Sequence, residues 1–276
     1  MIGRPIIFTD LDGTLLDHHS YSVDAALPVL EQLKSSNVPV IATTSKTKAE
    51  VLALYEKVQL NTPFIVENGA AIYLPKSQFT NPSTKANDEG KYWQITFSKP
   101  RHKFQQIIEQ LRPEFADKFI AFSDMSTEDI TRLTGLSHDK AELAQQRQFG
   151  EPVQWLGNEI DKQLFIDKAK QLGAGILVGG RFVHLSGDCD KGKALTFTKD
   201  LYKVQWQQSA ITTIALGDSG NDIAMLEAAD IAVQIRSPSH SYPPLSNKTQ
   251  QFIYQSQGYG PIGWSEALTF ILNLSA

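Results

Sequence analysis

The sequence has little that would tie it to a disulfide framework, a membrane or a nucleic acid. Its 276 residues include a single cysteine, Cys189, which excludes an internal disulfide and a cysteine-based metal site. The formal net charge is -4, whereas a protein that binds a phosphate backbone normally carries a basic excess. Apolar runs are too short for a signal peptide or a membrane span. We therefore expect a cytoplasmic protein with a small-molecule partner and no nucleic-acid or membrane partner; its oligomeric state is not indicated.

Short apolar runs that alternate with helical patterns indicate a parallel sheet. The apolar fraction is 41% and the charged fraction 20%, as in an ordinary globular protein, and the length is comfortable for two domains. Near the start, we predict strands at 6–9, 38–42 and 64–66, a helix beginning near 22 and a helix at 47–58. Ser22 or Asp24 is the expected N-cap of the first helix. This alternation is typical of an open α/β sheet.

The same pattern returns near the end of the chain, and a different one fills the middle. We predict strands at 212–216 and 231–234 around a helix at 222–229. A polar stretch at 81–90 indicates a linker. Beyond it we predict helices at 102–112, 139–147 and 162–171, a strand at 153–156 and a hairpin-like pair at 174–185. The predicted fold class is α/β, with a Rossmann-like open parallel sheet core (1–83 and 188–276) and an inserted α+β cap domain (84–187).

Acidic residues follow two of the predicted buried strands. Asp10 and Asp12 lie in Asp10-Leu11-Asp12-Gly13-Thr14, and Asp218 and Asp222 follow the strand that ends at Leu216. Open α/β sheets bind ligands at the carboxyl ends of their strands. Four aspartates at one sheet edge would repel one another, and a hard cation with oxygen ligands relieves that repulsion. We therefore predict Mg²⁺ as the cofactor.

Two further loops add groups that suit a phosphate. Thr43-Thr44-Ser45-Lys46 follows the second strand and leads into a helix, so that hydroxyl and backbone N–H groups can meet an anion there. Asp190-Lys191-Gly192-Lys193 opens a helix after the predicted cap and offers a lysine to neutralise phosphate charge.

In this order, the four loops resemble the four motifs of the haloacid dehalogenase superfamily, and the insertion between the second and third motifs is similar to its subclass with a large α/β cap (Cof-type). The resemblance covers the whole chain. It implies that Asp10 is the nucleophile that becomes an aspartyl-phosphate, and that Asp12 protonates the leaving alkoxide and then activates water. It also implies that Thr44 and Lys191 bind the phosphoryl oxygens.

The same resemblance implies a metal site. Asp10, Asp218 and the backbone carbonyl of Asp12 would hold Mg²⁺, and Asp222 would support the metal shell. Asn221 would orient Lys191 or contact the phosphate.

Local departures from the broader superfamily resemble one branch, the mannosyl-3-phosphoglycerate phosphatase family. Thr44-Ser45-Lys46 replaces the usual Thr-Gly-Arg, and the stretches at 64–72, 145–152 and 179–192 are similar to that family's pattern. Arginine suits a glycerate carboxylate, because its fork can pair two oxygens. The candidate substrate residues are Arg147 and Arg181 from the cap, and Ser45, Lys46, Glu67 and Asn68 from the core. His184 is expected to be a packed or surface residue.

Several alternatives stay open at this point. The substrate could instead be glucosyl-3-phosphoglycerate or a hexose phosphate. A phosphomutase would return the phosphoryl group to the sugar, and a non-catalytic protein would only bind a phosphosugar. The intact pair of Asp10 and Asp12 argues against the last of these.

Overall fold

The computed structural model describes residues 3–80, 82, 85–179, 182–208, 210–246, 250 and 252–274. Its strands are β1 (Arg4–Thr9), β2 (Val40–Ala42), β3 (Phe64–Val66), β4 (Ala71–Pro75), β5 (Asn87–Glu89), β6 (Tyr92–Thr96), β7 (Phe119–Ala121), β8 (Glu151–Trp155), β9 (Gly175–Gly179), β10 (Phe182–Ser186), β11 (Ile211–Gly217), β12 (Ile231–Arg236) and β13 (Phe252–Tyr259). Its α-helices are α1 (Leu27–Ser35), α2 (Lys48–Val58), α3 (Arg101–Phe115), α4 (Thr127–Thr134), α5 (His138–Gln145), α6 (Glu159–Gln171), α7 (Lys191–Trp206), α8 (Ile223–Ala228) and α9 (Gly260–Leu272).

A five-stranded parallel sheet, in the order β13-β12-β11-β1-β2, forms the core. Helices cover both of its faces, which is why successive residues of β1, Ile6 to Phe8, are all apolar and buried. Ile7 packs on the face that carries α1, α2 and α9, whereas Ile6 and Phe8 pack on the face that carries α7 and α8. The predicted α/β fold with a parallel sheet core is confirmed.

Two antiparallel sheets stand beside this core. One has the order β3-β4-β6-β5 and meets the core sheet through a bridge between Thr43 and Ile65. The other has the order β7-β8-β10-β9 and packs against α3 and α6. Because β5 and β6 pair with β4, the predicted domain boundary at 84 falls inside the first of these sheets. The division into core and cap therefore stays a prediction.

Most predicted elements are present with small shifts at their ends. The hairpin-like pair is β9 and β10, and the helix predicted at 47–58 is α2, which Thr47 caps through a capping box with Glu50. The predicted cap of α1 is wrong. A 3₁₀ turn at Asp24–Ala26 precedes the helix, so Ala26 is its N-cap and no side chain accepts a hydrogen bond there. Within the part of the chain that the structure describes, no helix is long and apolar enough to cross a membrane.

Gly69 fixes how the β3–β4 turn packs against the start of α7. Its φ is +91°, a conformation that L side chains rarely adopt, and an added Cβ would lie 2.2 Å from the carbonyl oxygen of Asp190. Since Asp190 immediately precedes Lys191, this contact sets the position of that lysine.

We expect Gly69→Ala to destabilise the protein and to lower its activity. The matched control is Gly90→Ala, because Gly90 also has a positive φ (+70°) but nothing lies within 4 Å of an added Cβ. The control should lower the free energy of unfolding by about 1–2 kcal/mol through backbone strain alone. Gly69→Ala should lower it by roughly 1–3 kcal/mol more, because the backbone must also move. Urea unfolding measures both, and equal losses would contradict the packing argument.

Candidate active site

Loops from distant parts of the chain meet at the carboxyl edge of the core sheet. Asp10 follows β1 and its N–H donates to the carbonyl oxygen of Leu216 on β11 (2.9 Å), so the first and last acidic loops are joined directly. The indole N–H of Trp264, on α9, donates to Thr9 Oγ1 (3.0 Å) and so connects α9 to the end of β1. The predicted acidic loops therefore share one site.

A buried lysine connects two of the aspartates. Lys191 Nζ lies 2.6 Å from Asp10 Oδ1 and 2.7 Å from Asp222 Oδ1, and all three side chains are almost completely buried. The other oxygen of Asp222 accepts the N–H groups of Asp218 (3.1 Å) and Ser219 (3.0 Å). Asp222 is thus held at both oxygens and keeps Lys191 against Asp10. Burial alone would lower the pKa of Lys191, but the two carboxylates outweigh it and raise that pKa, so the lysine stays charged.

Three of the predicted metal ligands form a compact cluster. Carboxylate oxygens of Asp10, Asp218 and Asp222 lie within 4.8 Å of one another, and all three residues are buried. Burial raises the pKa of Asp10 well above its usual range, and the charges of Asp222 and Asp218 raise it further against the opposing effect of Lys191. Burial, followed by the charge of Asp222, raises the pKa of Asp218 to about 7. A set of hard oxygen donors with excess negative charge fits a divalent cation.

The excess charge makes stability depend on pH when no cation is bound. The native pKa of Asp218 is about 7 and that of an unfolded aspartate is near 3.9, so the native state holds a proton that the unfolded chain releases. Stability is therefore expected to fall as the pH rises from about 4 to about 7.

We expect Asp218→Asn to reduce this loss between about pH 4 and pH 7 in the presence of a chelator. Asp167→Asn, on the exposed face of α6, is the matched control and should leave the pH dependence unchanged. Thermal unfolding measures the difference between each variant and the unaltered chain, so other titrating groups cancel. The same pH slope in all three proteins would contradict the assignment.

The loop after β2 is built around Thr44. Its N–H donates to the carbonyl oxygen of Ile65 (3.0 Å), its own carbonyl accepts the N–H of Asn68 (2.9 Å), and its hydroxyl accepts the N–H of Lys46 (3.2 Å). Asn68 Oδ1 accepts a hydrogen bond from Asn221 Nδ2 (3.2 Å). Hydrogen bonds therefore connect the loops that carry Thr44, Asn68 and Asn221, and Asn68 is the partner of the Asn221 side chain.

Asp12 lies at the mouth of the site beside Lys46. Lys46 Nζ is 2.9 Å from Asp12 Oδ2 and 3.3 Å from Glu50 Oε1. Asp12 is the most exposed of the site aspartates, with 40% of its side chain accessible, while only 12% of the Lys46 side chain is accessible. The cation and the carboxylate both face the cavity described below.

Glu67 and Arg147 connect the core to the middle segment of the chain (84–187, the predicted cap). The carboxylate of Glu67 accepts the N–H groups of Gln148 (2.7 Å) and Phe149 (3.1 Å), and Arg147 Nη1 lies 3.6 Å from it. Arg147 Nη2 also donates to the carbonyl oxygen of Ser45 (2.8 Å), while its Nε is buried without a hydrogen-bond partner among the described residues. The carboxylate of Glu67 is therefore already hydrogen-bonded to the backbone, whereas the Nε–H group of Arg147 has no acceptor among the described residues. Arg181, the other arginine predicted to bind the substrate, lies outside the described residues.

One cavity of about 750 Å³ unites these groups. Its polar lining includes Asp10, Asp12, Ser45, Lys46, Asn68, Arg147, Asp218 and Asn221. Glu67, Thr44, Lys191 and Asp222 are buried and are not among its lining residues. An apolar wall comes from the middle segment, with Phe122, Leu177 and Phe182 among its members.

Some lining residues were not among the sequence candidates. Tyr21 and the stretch 239–244 line the cavity, and His240 Nε2 lies 3.7 Å from Asp218 Oδ2. The signal for 239–244 was its place after a buried parallel strand, β12, where ligand-binding loops occur. His184 also lines the cavity; burial, with a smaller effect of Arg147, lowers its pKa to about 3, so its ring is neutral.

Comparison with known proteins agrees with this geometry. The family model of haloacid dehalogenase-like hydrolases matches residues 7–81 and 181–243, which include the four loops that carry the predicted site residues of the core. The chain belongs to this family.

Two curated relatives extend over almost the full length. The glucosyl-3-phosphoglycerate/mannosyl-3-phosphoglycerate phosphatase of Methanococcoides burtonii is 38% identical over 265 residues, which is 96% of each chain. The enzyme of the same name from Persephonella marina is 38% identical over 97% of each chain. The protein is accordingly a phosphatase.

A solved structure shows the same fold. The subclass IIB sugar phosphatase of the haloacid dehalogenase superfamily aligns with a TM-score of 0.65 over 98% of this chain and 100% of the other, at 16% identity. At that identity the likeness concerns the architecture, including the sheets beside the core.

Proposed function

We propose that this phosphatase is Mg²⁺-dependent and converts mannosyl-3-phosphoglycerate to mannosylglycerate through a phosphorylated Asp10. The observation that carries the proposal is the shared cavity, which places the aspartate cluster and two cations, Lys46 and Arg147, around one volume of about 750 Å³. A glycosyl phosphoglycerate has a phosphate and a carboxylate on the same three-carbon unit, so it needs both kinds of group. The names of the full-length relatives support the same substrate class and make the glucosyl ester the second candidate.

In the first half-reaction, a carboxylate oxygen of Asp10 attacks phosphorus and the bond to the leaving oxygen breaks. Lys191 holds Asp10 Oδ1 at 2.6 Å and so fixes the direction of the carboxylate. Asp12 donates its proton to the leaving oxygen. Lys191 and Thr44 bind the phosphoryl oxygens, and Asn221 adds a donor near them. These groups stabilise the charge that spreads over the phosphoryl group in the transition state.

In the second half-reaction, Asp12 takes a proton from water, and the water oxygen attacks the phosphorus of the aspartyl-phosphate. Inorganic phosphate leaves and Asp10 is restored as a carboxylate. This return of the phosphoryl group to water separates a phosphatase from a phosphomutase.

The residues that would hold Mg²⁺ are Asp10, Asp218 and the backbone carbonyl of Asp12, with Asp222 in support. The clustered carboxylates support this assignment, and the charges of neighbouring aspartates add to the effect of burial in raising the pKa values of Asp10 and Asp218. When bound, the ion neutralises charge on the carboxylates and the phosphoryl group.

Arg147 and Lys46 are the proposed partners of the glycerate carboxylate. Arg147 has a buried Nε without a partner, and its guanidinium is held next to the loop that carries Ser45. We assign Glu67 to the positioning of Arg147, since its carboxylate already accepts two backbone N–H groups. Arg181 remains a predicted substrate residue.

The inserted segment, predicted at 84–187, is proposed to act as the cap that closes over the substrate. Its contacts to the core through Glu67 and Ser45 lie directly beside the phosphate-binding loop. Closure would exclude water from the reacting phosphoryl group.

We expect Asp10→Asn to lower kcat by about a thousandfold or more, because the nucleophile is lost. Asp12→Asn should retain phosphoryl transfer from a substrate with a good leaving group and accumulate phosphorylated protein, because water is no longer activated. Intact-protein mass spectrometry after a quench measures the added phosphoryl group. Release of phosphate by Asp10→Asn at the unaltered rate would disprove the nucleophile assignment.

We expect the highest kcat/KM for mannosyl-3-phosphoglycerate in a panel with its glucosyl analogue and a hexose 6-phosphate, measured as phosphate release. Activity should disappear with a chelator and return with Mg²⁺. A hexose phosphate as the best substrate would contradict the assigned substrate class, and a requirement for a bisphosphate activator would indicate a phosphomutase.

A further inference from the structure

Lys46 is shared between two carboxylates at the edge of the cavity. Its Nζ lies 2.9 Å from Asp12 Oδ2 and 3.3 Å from Glu50 Oε1. Burial would lower the pKa of Lys46, but Asp12 and Glu50 outweigh it and raise that pKa, so the side chain is a cation. It therefore holds the residue proposed to act as acid and base.

The two oxygens of Asp12 are in different situations. Oδ2 is engaged by Lys46, while Oδ1 is buried and makes no hydrogen bond within the described part of the chain. A buried acceptor without a donor is unfavourable, so this orientation of the carboxylate depends on the ion pair with Lys46. Whatever weakens that pair allows Asp12 to turn.

Glu50 can keep Lys46 in place while its other partner changes. Glu50 Oε2 accepts the backbone N–H (2.9 Å) and the hydroxyl (3.0 Å) of Thr47, which fixes this carboxylate at the first turn of α2. The other oxygen, Oε1, faces Lys46. Lys46 thus has one fixed partner and one partner on a separate loop.

A second cation lies near the same loop. Arg147 Nη2 donates to the carbonyl oxygen of Ser45, the residue before Lys46, and both cations line the cavity. A carboxylate that approaches this wall meets Lys46 and Arg147 together. It can replace Asp12 at Lys46 without changing the number of negative charges around that lysine.

We propose that the substrate carboxylate displaces Asp12 from Lys46 and thereby frees Asp12 to face the leaving oxygen. Lys46 is then a positioning residue that couples occupancy of the carboxylate site to the acid–base step. The inference rests on the proposed function, since it needs a substrate with both a phosphate and a carboxylate. It adds that the carboxylate raises kcat as well as affinity.

The test compares 3-phosphoglycerate with glycerol 3-phosphate, which have the same three-carbon skeleton and differ in a carboxylate against a hydroxymethyl group. With the unaltered enzyme, we expect kcat for 3-phosphoglycerate to be about tenfold higher or more. In Lys46→Met, the two kcat values should become equal, because Asp12 is no longer held by Lys46 and the rate with glycerol 3-phosphate rises toward that with 3-phosphoglycerate. Lys46→Arg should restore part of the preference.

Lys48→Met is the matched control, because Lys48 lies two residues away but pairs with Glu89 (2.9 Å). It should keep the preference of the unaltered enzyme. A Lys46→Met variant that lowers both kcat values by the same factor, or changes only KM for 3-phosphoglycerate, would overturn the proposal. If an enzyme that hydrolyses p-nitrophenyl phosphate releases phosphate neither from the two three-carbon esters nor from mannosyl-3-phosphoglycerate, the substrate class itself is wrong and the proposal falls with it.

A second measurement does not depend on the folding of a variant. Ethyl phosphate is small enough to leave room in the cavity for free glycolate, which supplies the missing carboxylate. Glycolate should raise kcat for ethyl phosphate in the unaltered enzyme. Simple competitive inhibition by glycolate would contradict the exchange at Lys46.

Discussion

The ion pairs of Lys191 with Asp10 and Asp222 are the interaction on which the site depends. Each of these side chains is buried, and a buried charge without a partner is strongly destabilising. Lys191 comes from the first turn of α7, and the aspartates come from loops near opposite ends of the chain. The same contacts that satisfy the lysine therefore close the site and direct Asp10 into the cavity.

The remaining negative charge explains why such a cluster suits a cation. Burial raises the pKa values of Asp10 and Asp218, and the charges of the neighbouring aspartates raise them further, because one lysine does not balance Asp10, Asp218 and Asp222. A second lysine is arranged similarly, with Lys46 between Asp12 and Glu50. Two lysines at this edge of the sheet thus each pair with two carboxylates.

The sequence predicted the core sheet and the polar loops that follow its strands because both depend on local patterns. Buried parallel strands are short apolar runs, and ligand-binding loops follow their carboxyl ends. The hydrogen-bond partners of Glu67 could not be predicted from local patterns. Its carboxylate accepts the backbone N–H groups of residues 148 and 149, which lie far along the chain. The N-cap of α1 was also misjudged, since a 3₁₀ turn separates Asp24 from the helix.

By itself, the sequence determined the α/β fold class, the set of aspartates and the lysine that face one edge of the sheet, since each lies at a fixed offset from a strand or a helix start. Only the tertiary structure decided which of these groups touch one another, that Lys46 is shared by Asp12 and Glu50, and that Tyr21 and residues 239–244 line the same cavity. The physical reason is that ion pairs and cavity walls depend on the packing of distant segments, which local periodicity does not encode.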